Sequence, residues 1–421
     1  MLAVFIVLLA ILLFSEYKTY KTCITPFFVI GSIYLIAVPV VNIVGVRLGY
    51  YSISSSTMIL FLLFLMWIFF LNVVFKLLYR KIIHKNSSLV LMSIKHQKYI
   101  WYAFSFFLLG YFLSLLQATQ IYGITNIKGK SSGIFGHMGL FCISISPYIM
   151  LLYIKTKKTK YILGVTFLFL IMLLFGGKTY LFITAVSACI LLFDEKKVTP
   201  IKLLRIGLFL STVAILIFII IYTVIPCLNA NIRDWFTIKA YFKESLQHVF
   251  YYFSAPFLCS NSYFDMPIAE GLSEGLRIMF APLVSLYEVL LGNREFPAII
   301  MKEWVNISDA AHRTTSNVGG LFSESVFHIG YVGAIFYVGL ASLYVHAAYY
   351  LKCKSQFFHA SAALGIALLG LCFFCNYFTL LVVLEIIVYL FIFEFSLLMF
   401  ENRRIYIGDW RFKKIWKKIK H

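Results

Sequence analysis

Charge is what this sequence has least of. Only 13% of its 421 residues are Asp, Glu, Lys or Arg, and just 17 are acidic. A water-soluble chain of this size carries about a quarter charged residues. With 62% apolar residues, this chain has too little polar surface to cover itself against water. That excludes a cytosolic enzyme, a secreted disulfide scaffold and a disordered tail. The N-terminal apolar run has no basic residue ahead of it and no small-residue cleavage site before Glu16 and Lys18. It reads as a first membrane span and not as a removed leader. The eight cysteines are scattered. Cys372 and Cys375 form a CxxC with no second pair, so neither zinc nor a redox centre is expected there. Cys227 and Cys259 share one long polar segment and could be bridged. No His/Asp/Glu cluster stands at metal-ligand spacing, so no metal and no cofactor are expected.

What is present is apolar and aromatic, with 43 Phe, 28 Tyr and 6 Trp. Runs long enough to cross ~30 Å of hydrocarbon fall at 2–14, 26–46, 57–78, 99–121, 134–154, 161–176, 179–193, 206–226, 326–351, 359–375 and 377–400. The expectation is an all-α polytopic membrane protein of about 11 transmembrane helices. It divides into spans within 1–226, a large external helical loop at 227–325, spans within 326–400 and a basic tail at 401–421. The first, sixth and seventh runs are short for a full crossing.

The net charge of +20 could suggest nucleic acid, but its placement argues topology. When the sides are alternated, one side's segments hold 26 Lys and Arg, while the short segments of the other hold only 4 (Arg47, Lys128, Lys130 and Lys178). Under the positive-inside rule the N-terminus and 227–325 lie outside, and the C-terminus lies in the cytoplasm. No nucleic-acid partner is implied. The tail sets Trp410, Phe412, Ile415, Trp416 and Ile419 among eight basic residues, which suggests a helix on the anionic inner leaflet.

Residues 227–325 are net negative, with 10 acidic and 7 basic residues. A segment this long between two spans exceeds what a connection needs and is where function usually sits. Trp235, Ile238, Phe242, Leu246, Val249, Phe250 and Phe253 recur every three or four residues, with Lys239, Lys243 and Glu244 off that stripe. The spacing predicts a helix along the outer membrane interface. Pro256, Pro267, Pro282 and Pro297 then divide the rest into short pieces.

The outward polar residues are few. Lys178 follows Gly176 and Gly177 at a tight turn, where it can also simply snorkel. Arg277 precedes an apolar stretch. His312 and Arg313 stand in a Thr/Ser/Asn-rich stretch that ends at Asn317. Glu324 and His328 are i, i+4 at the mouth of the ninth span, so they share one helix face. Glu385 lies deep in the last span, where a carboxylate is costly and a functional candidate by default.

Three local patterns carry a resemblance. They are Gly176-Gly177-Lys178-Thr179 ahead of an apolar span, Gly319-Gly320-Leu321-Phe322-Ser323-Glu324 followed by His328-Ile329-Gly330-Tyr331-Val332-Gly333, and the polar group His312, Arg313 and Asn317. With the span count and the large loop, the chain resembles the Wzy-type O-antigen polymerases of bacterial envelopes. Where that family usually has an aromatic, this chain has His328. The resemblance implies a GT-C-like fold in the inner membrane and metal-independent, inverting glycosyl transfer at the outer leaflet. The donor would be an undecaprenyl-diphosphate-linked oligosaccharide, with membrane lipids and a chain-length regulator as further partners. Lys178, Arg277 and Arg313 would neutralise the diphosphate, with Asn317 and His328 beside the substrate. His312, or alternatively Glu324, would take the proton from the acceptor hydroxyl. An O-antigen ligase, a flippase and an ion-coupled transporter remain the rival readings.

Overall fold

The computed structural model describes the chain apart from residues 80–93, 124–125, 132, most of 196–229, 270, 293–303, 310–313, 355–356 and 409–421. It is an all-α membrane protein. Seven helices among the described residues are long and apolar enough to cross a bilayer. The expected span at 206–226 and the tail helix fall largely or wholly outside the described residues, as do His312 and Arg313. The chain divides into two bodies: residues 1–77, 196–345 and 368–381, and residues 78–195, 346–367 and 382–421.

The first body opens with α1 (Leu2–Tyr20), α2 (Pro26–Val40) and α3 (Ser55–Tyr79). Each is apolar on nearly every face, as a lipid-bathed helix must be. α1 runs six residues past its expected end because its first charge is not at the surface. Glu16 is buried, and its carboxylate accepts from Thr25 Oγ1 at 2.6 Å and from Asn72 Nδ2 at 2.6 Å. Thr25 in turn caps α2, accepting from the Phe28 N–H at 3.2 Å. One carboxylate thereby ties the first three helices together.

The long loop contributes α8 (Trp235–Asp265), α9 (Leu272–Met279) and α10 (Ala281–Leu290). It also contributes a two-residue ladder, β1 (Val305–Asn306) against β2 (Thr315–Ser316). Asp234 caps α8 through Thr237, and those hydrogen bonds hold its carboxyl below the usual range. Pro256 does not divide this helix, contrary to the sequence expectation; it lies inside α8. Exposure falls along α8, and the buried part begins just past the stripe, whose own residues are all exposed or half-buried. Trp235 and Phe236 are 75% and 80% exposed, whereas residues 254–260 are buried throughout. There Phe257 and Phe264 join Tyr34, Phe61, Phe64 and Phe322 in one aromatic cluster. Burial on all sides outweighs the single hydrogen bond a helical proline forfeits. The loop is pinned to the α2–α3 connection, where Tyr51 N–H donates to the Ile307 carbonyl at 3.0 Å and Asp309 N–H to that of Gly49 at 3.1 Å. Cys227 and Cys259 are both buried, and no disulfide joins them.

α11 (Leu321–Lys354) is interrupted. Gly330 adopts φ 69°, ψ 178° in the middle of a helix, a conformation that a residue with a Cβ rarely adopts. The break frees the carbonyls that precede it, and the loop takes them up. Ile268 N–H donates to Val326 O at 3.4 Å and Ala269 N–H to Phe327 O at 3.0 Å.

The second body contains α4 (Ile94–Tyr122), α5 (Gly133–Thr156), α6 (Thr159–Leu174) and α7 (Lys178–Glu195). It also holds the last turns of α11 and most of α12 (His359–Leu371) and α13 (Leu381–Gly408). Phe107 stacks on Phe141 at 4.0 Å across α4 and α5. At one end of this body Lys352 Nζ meets Asp194 Oδ1 at 2.6 Å and Lys155 meets Glu195 at 2.8 Å. Burial pushes the Asp194 carboxyl up, but the Lys352 ammonium and His359 more than offset this and hold it at about 2. Deeper in, Glu394 of α13 accepts from Tyr148 OH, Ser361 OH, and the backbone N–H groups of Ala360 at 3.0 Å and Ser361 at 3.2 Å. It caps the start of α12 from a neighbouring helix.

Candidate functional site

Two polar constellations lie within the spans, one in each body. In the first body, the nine residues of α11 ahead of Gly330 are buried without exception. Glu324 and His328 sit one turn apart on this stretch, as their spacing predicts. The Glu324 stem packs against Gly319, where a Cβ would lie 2.9 Å from its Cγ. Its carboxylate is close enough to Tyr337 and Cys372 to act on both electrostatically. Across from it the chain unwinds between α12 and α13. There Cys372 O accepts from the Leu321 N–H at 2.8 Å, and buried Asn376 turns its Oδ1 to the Phe378 N–H at 3.3 Å. Gly320 makes that approach possible, since a Cβ would stand 2.5 Å from Phe373 O. Over His328 lies α9, with Gly275 directly against the His328 carbonyl oxygen. A carboxylate, an imidazole, an amide and a phenol thus gather where two segments leave helical geometry, under a loop that covers them.

The second constellation stands at the end of the second body opposite Lys155. Glu385 Oε2 meets His137 Nδ1 at 2.8 Å, and Tyr389 OH lies 3.4 Å from the same nitrogen. The His137 side chain is 55% exposed, that of Glu385 19%. Tyr180, two residues into α7 from Lys178, is within electrostatic reach of Glu385. Behind it the turn at Gly176 (φ 75°) packs on Lys128, and Gly129 N–H donates to Phe175 O at 2.9 Å.

The site residues expected from the sequence are placed as follows. Glu324 and His328 stand one turn apart on α11. Arg277 sits on α9 two residues beyond Gly275, more than half exposed and paired with Glu274 at 3.4 Å. Asn317 is half-buried just after β2. Lys178 opens α7 in the second body. His312 and Arg313 lie outside the described residues. The sequence reading passed over Asn376 and His137. Both are polar residues inside apolar stretches, the signal that singled out Glu385. Among the described residues no three His, Cys, Asp or Glu side chains are grouped to hold a metal ion. No family model matches this chain, and neither a curated protein nor a solved structure does.

Proposed function

We propose that the protein is an outer-leaflet glycan polymerase that joins undecaprenyl-diphosphate-linked oligosaccharide repeat units by inverting glycosyl transfer. The observation that carries this reading is the loop closing over Glu324 and His328 on the interrupted α11. Polar groups are held at the mouth of a span, beneath an acidic segment large enough to enclose a saccharide. The full proposal has eleven spans in a GT-C-like arrangement in the inner membrane, with the N-terminus and 227–325 outside and the tail inside. Diphosphate is already a good leaving group, so the protein's task is to neutralise its developing charge and to position the acceptor. Lys178, Arg277 and Arg313 are the cations that the sequence offers for the first task, and Glu324, His328 and Asn317 are the polar groups that it offers for the second. His312 and Glu324 are the proton acceptors expected from the sequence.

The direct test is purified protein incubated with undecaprenyl-diphosphate-linked repeat units, read as a ladder of products. Lys178→Ala should abolish long chains at unchanged protein abundance, since one lost phosphate clamp costs about 2–4 kcal/mol of transition-state stabilisation by analogy with oxyanion donors. A normal ladder in that variant returns Lys178 to snorkelling. An ion-coupled carrier is the second reading, favoured by the interruption at Gly330, because carriers build their sites on broken helices. Deletion separates the two. Surface glycan of single repeats supports the polymerase, and loss of all surface glycan supports a carrier of the lipid-linked unit.

Orientation has its own test. Lys239 is exposed on α8, and a cysteine placed there should react with an impermeant maleimide in intact cells. Reaction only after lysis would invert the topology.

A further inference from the structure

The geometry points to His137, held by Glu385, as the group that takes the proton from the acceptor sugar hydroxyl. This rests on the glycosyl-transfer reading, and it moves the proton away from His312.

The argument begins with two carboxylates on one helix. Glu394 and Glu385 both lie on α13, and both would be costly in hydrocarbon. Glu394 is fully buried, and four donors converge on it. That is structural glue: both carboxylate oxygens have work within the protein. Glu385 is different. Its contacts are a half-exposed imidazole and the hydroxyl of Tyr389, so it fixes a ring that is open on its other side. Packing does not need such a pair. Chemistry does, because a carboxylate on Nδ1 sets the tautomer with the proton there and leaves the Nε2 lone pair to accept a proton. Among the described residues Nε2 makes no hydrogen bond.

The location fits the same step. His137 is one turn into α5 and Glu385 one turn into α13, at the end of the second body that carries the Gly176–Lys178 turn. Tyr180, in the first turn of α7, is within electrostatic reach of Glu385. Lys178, one of the three cations proposed for the donor diphosphate, and the proposed base therefore stand in the first turns of α7 and α5, at one end of the second body. In the step itself, the acceptor oxygen forms a bond to the anomeric carbon of the donor. The bond from that carbon to the diphosphate oxygen breaks, and the leaving diphosphate keeps the electron pair. The hydroxyl proton passes to Nε2 and then to water.

The groups that face His137 are Glu385 and Tyr389 from α13, with Tyr180 of α7 beside Glu385. The imidazole must be neutral to act, with its Nε2 lone pair free to accept.

The experiment is the rate of the purified protein with lipid-linked repeat units, read as kcat and KM, for wild type, His137→Asn and Glu385→Gln. The expected result is a loss of about two to four orders of magnitude in the kcat of His137→Asn. Glu385→Gln should keep partial activity, with the loss in kcat at an unchanged KM; a merely structural role for Glu385 would lower the amount of folded protein and leave kcat unchanged. Should His137→Asn fail to fold, the kcat loss in Glu385→Gln decides alone. An active wild type with a native rate in His137→Asn overturns the assignment and leaves the polymerase reading intact. A wild type that joins no repeat units overturns that reading, and the proton-accepting role falls with it.

Discussion

Glu394→Ala is expected to destabilise the second body by about 3–5 kcal/mol, the range for breaking a buried charged or strongly hydrogen-bonded group. The substitution leaves the Tyr148 hydroxyl, the Ser361 hydroxyl and the N–H groups of Ala360 and Ser361 without their acceptor. Each orphaned buried donor costs about 1–3 kcal/mol, and the removed side chain leaves a cavity as well. Partial relaxation keeps the sum below four full penalties. Glu394→Gln keeps one acceptor oxygen but turns an amide NH2 toward groups that donate, so an intermediate loss is expected. Thermal unfolding of the purified protein in detergent is the measurement. At roughly 2–4 °C per kcal/mol for a body of this size, the alanine variant should melt roughly 6–20 °C lower. A shift under about 2 °C would mean that Glu394 is not the cap of α12.

Gly275→Ala should do comparable damage by a different route. A Cβ at this position would overlap the His328 carbonyl oxygen and crowd its carbon. That oxygen is backbone, within a stretch buried on every side, so it cannot yield as a side-chain tip would. α9 must lift instead. Lifting it draws Ile268 and Ala269 away from the Val326 and Phe327 carbonyls, which the break at Gly330 leaves with no helical partner. Overpacking and two lost hydrogen bonds together cost about 3–5 kcal/mol. Limited proteolysis should then cut within 266–292 more readily than in the native protein. Gly45→Ala is the control, since its Cβ would meet nothing nearer than 3.4 Å. Native resistance to protease in Gly275→Ala would show that the loop is not latched here.

Hydropathy carried most of the architecture. Among the described residues the long apolar runs are helices, because a lipid-bathed segment must satisfy its backbone internally. Where the reading slipped, a tertiary contact overrode a local rule. Glu16 looked like the end of a span, yet two neighbouring helices solvate it. Pro256 looked like a breaker, yet the core around it holds the helix together. The site was legible in part for the same reason. Glu324 and His328 were found because their spacing is local to one helix. The pairing of Glu385 with His137 spans 248 residues, and no local pattern records it. Gly330 was written into the motif Gly330-Tyr331-Val332-Gly333, but nothing in a single sequence marks which glycine of an apolar run has left the helix.

The cap that Glu394 places on α12 also bears on how the chain enters the membrane. With thirteen residues rising about 1.5 Å each, α12 is roughly 20 Å long, well short of the ~30 Å hydrocarbon layer. Its first N–H groups find their acceptor on a helix synthesised some thirty residues later. Until α13 has emerged from the ribosome, α12 can neither cross the bilayer nor rest in it with its backbone satisfied. The two must therefore partition from the insertion machinery as a hairpin, which makes the final segment of the chain a condition for membrane integration of the one before it.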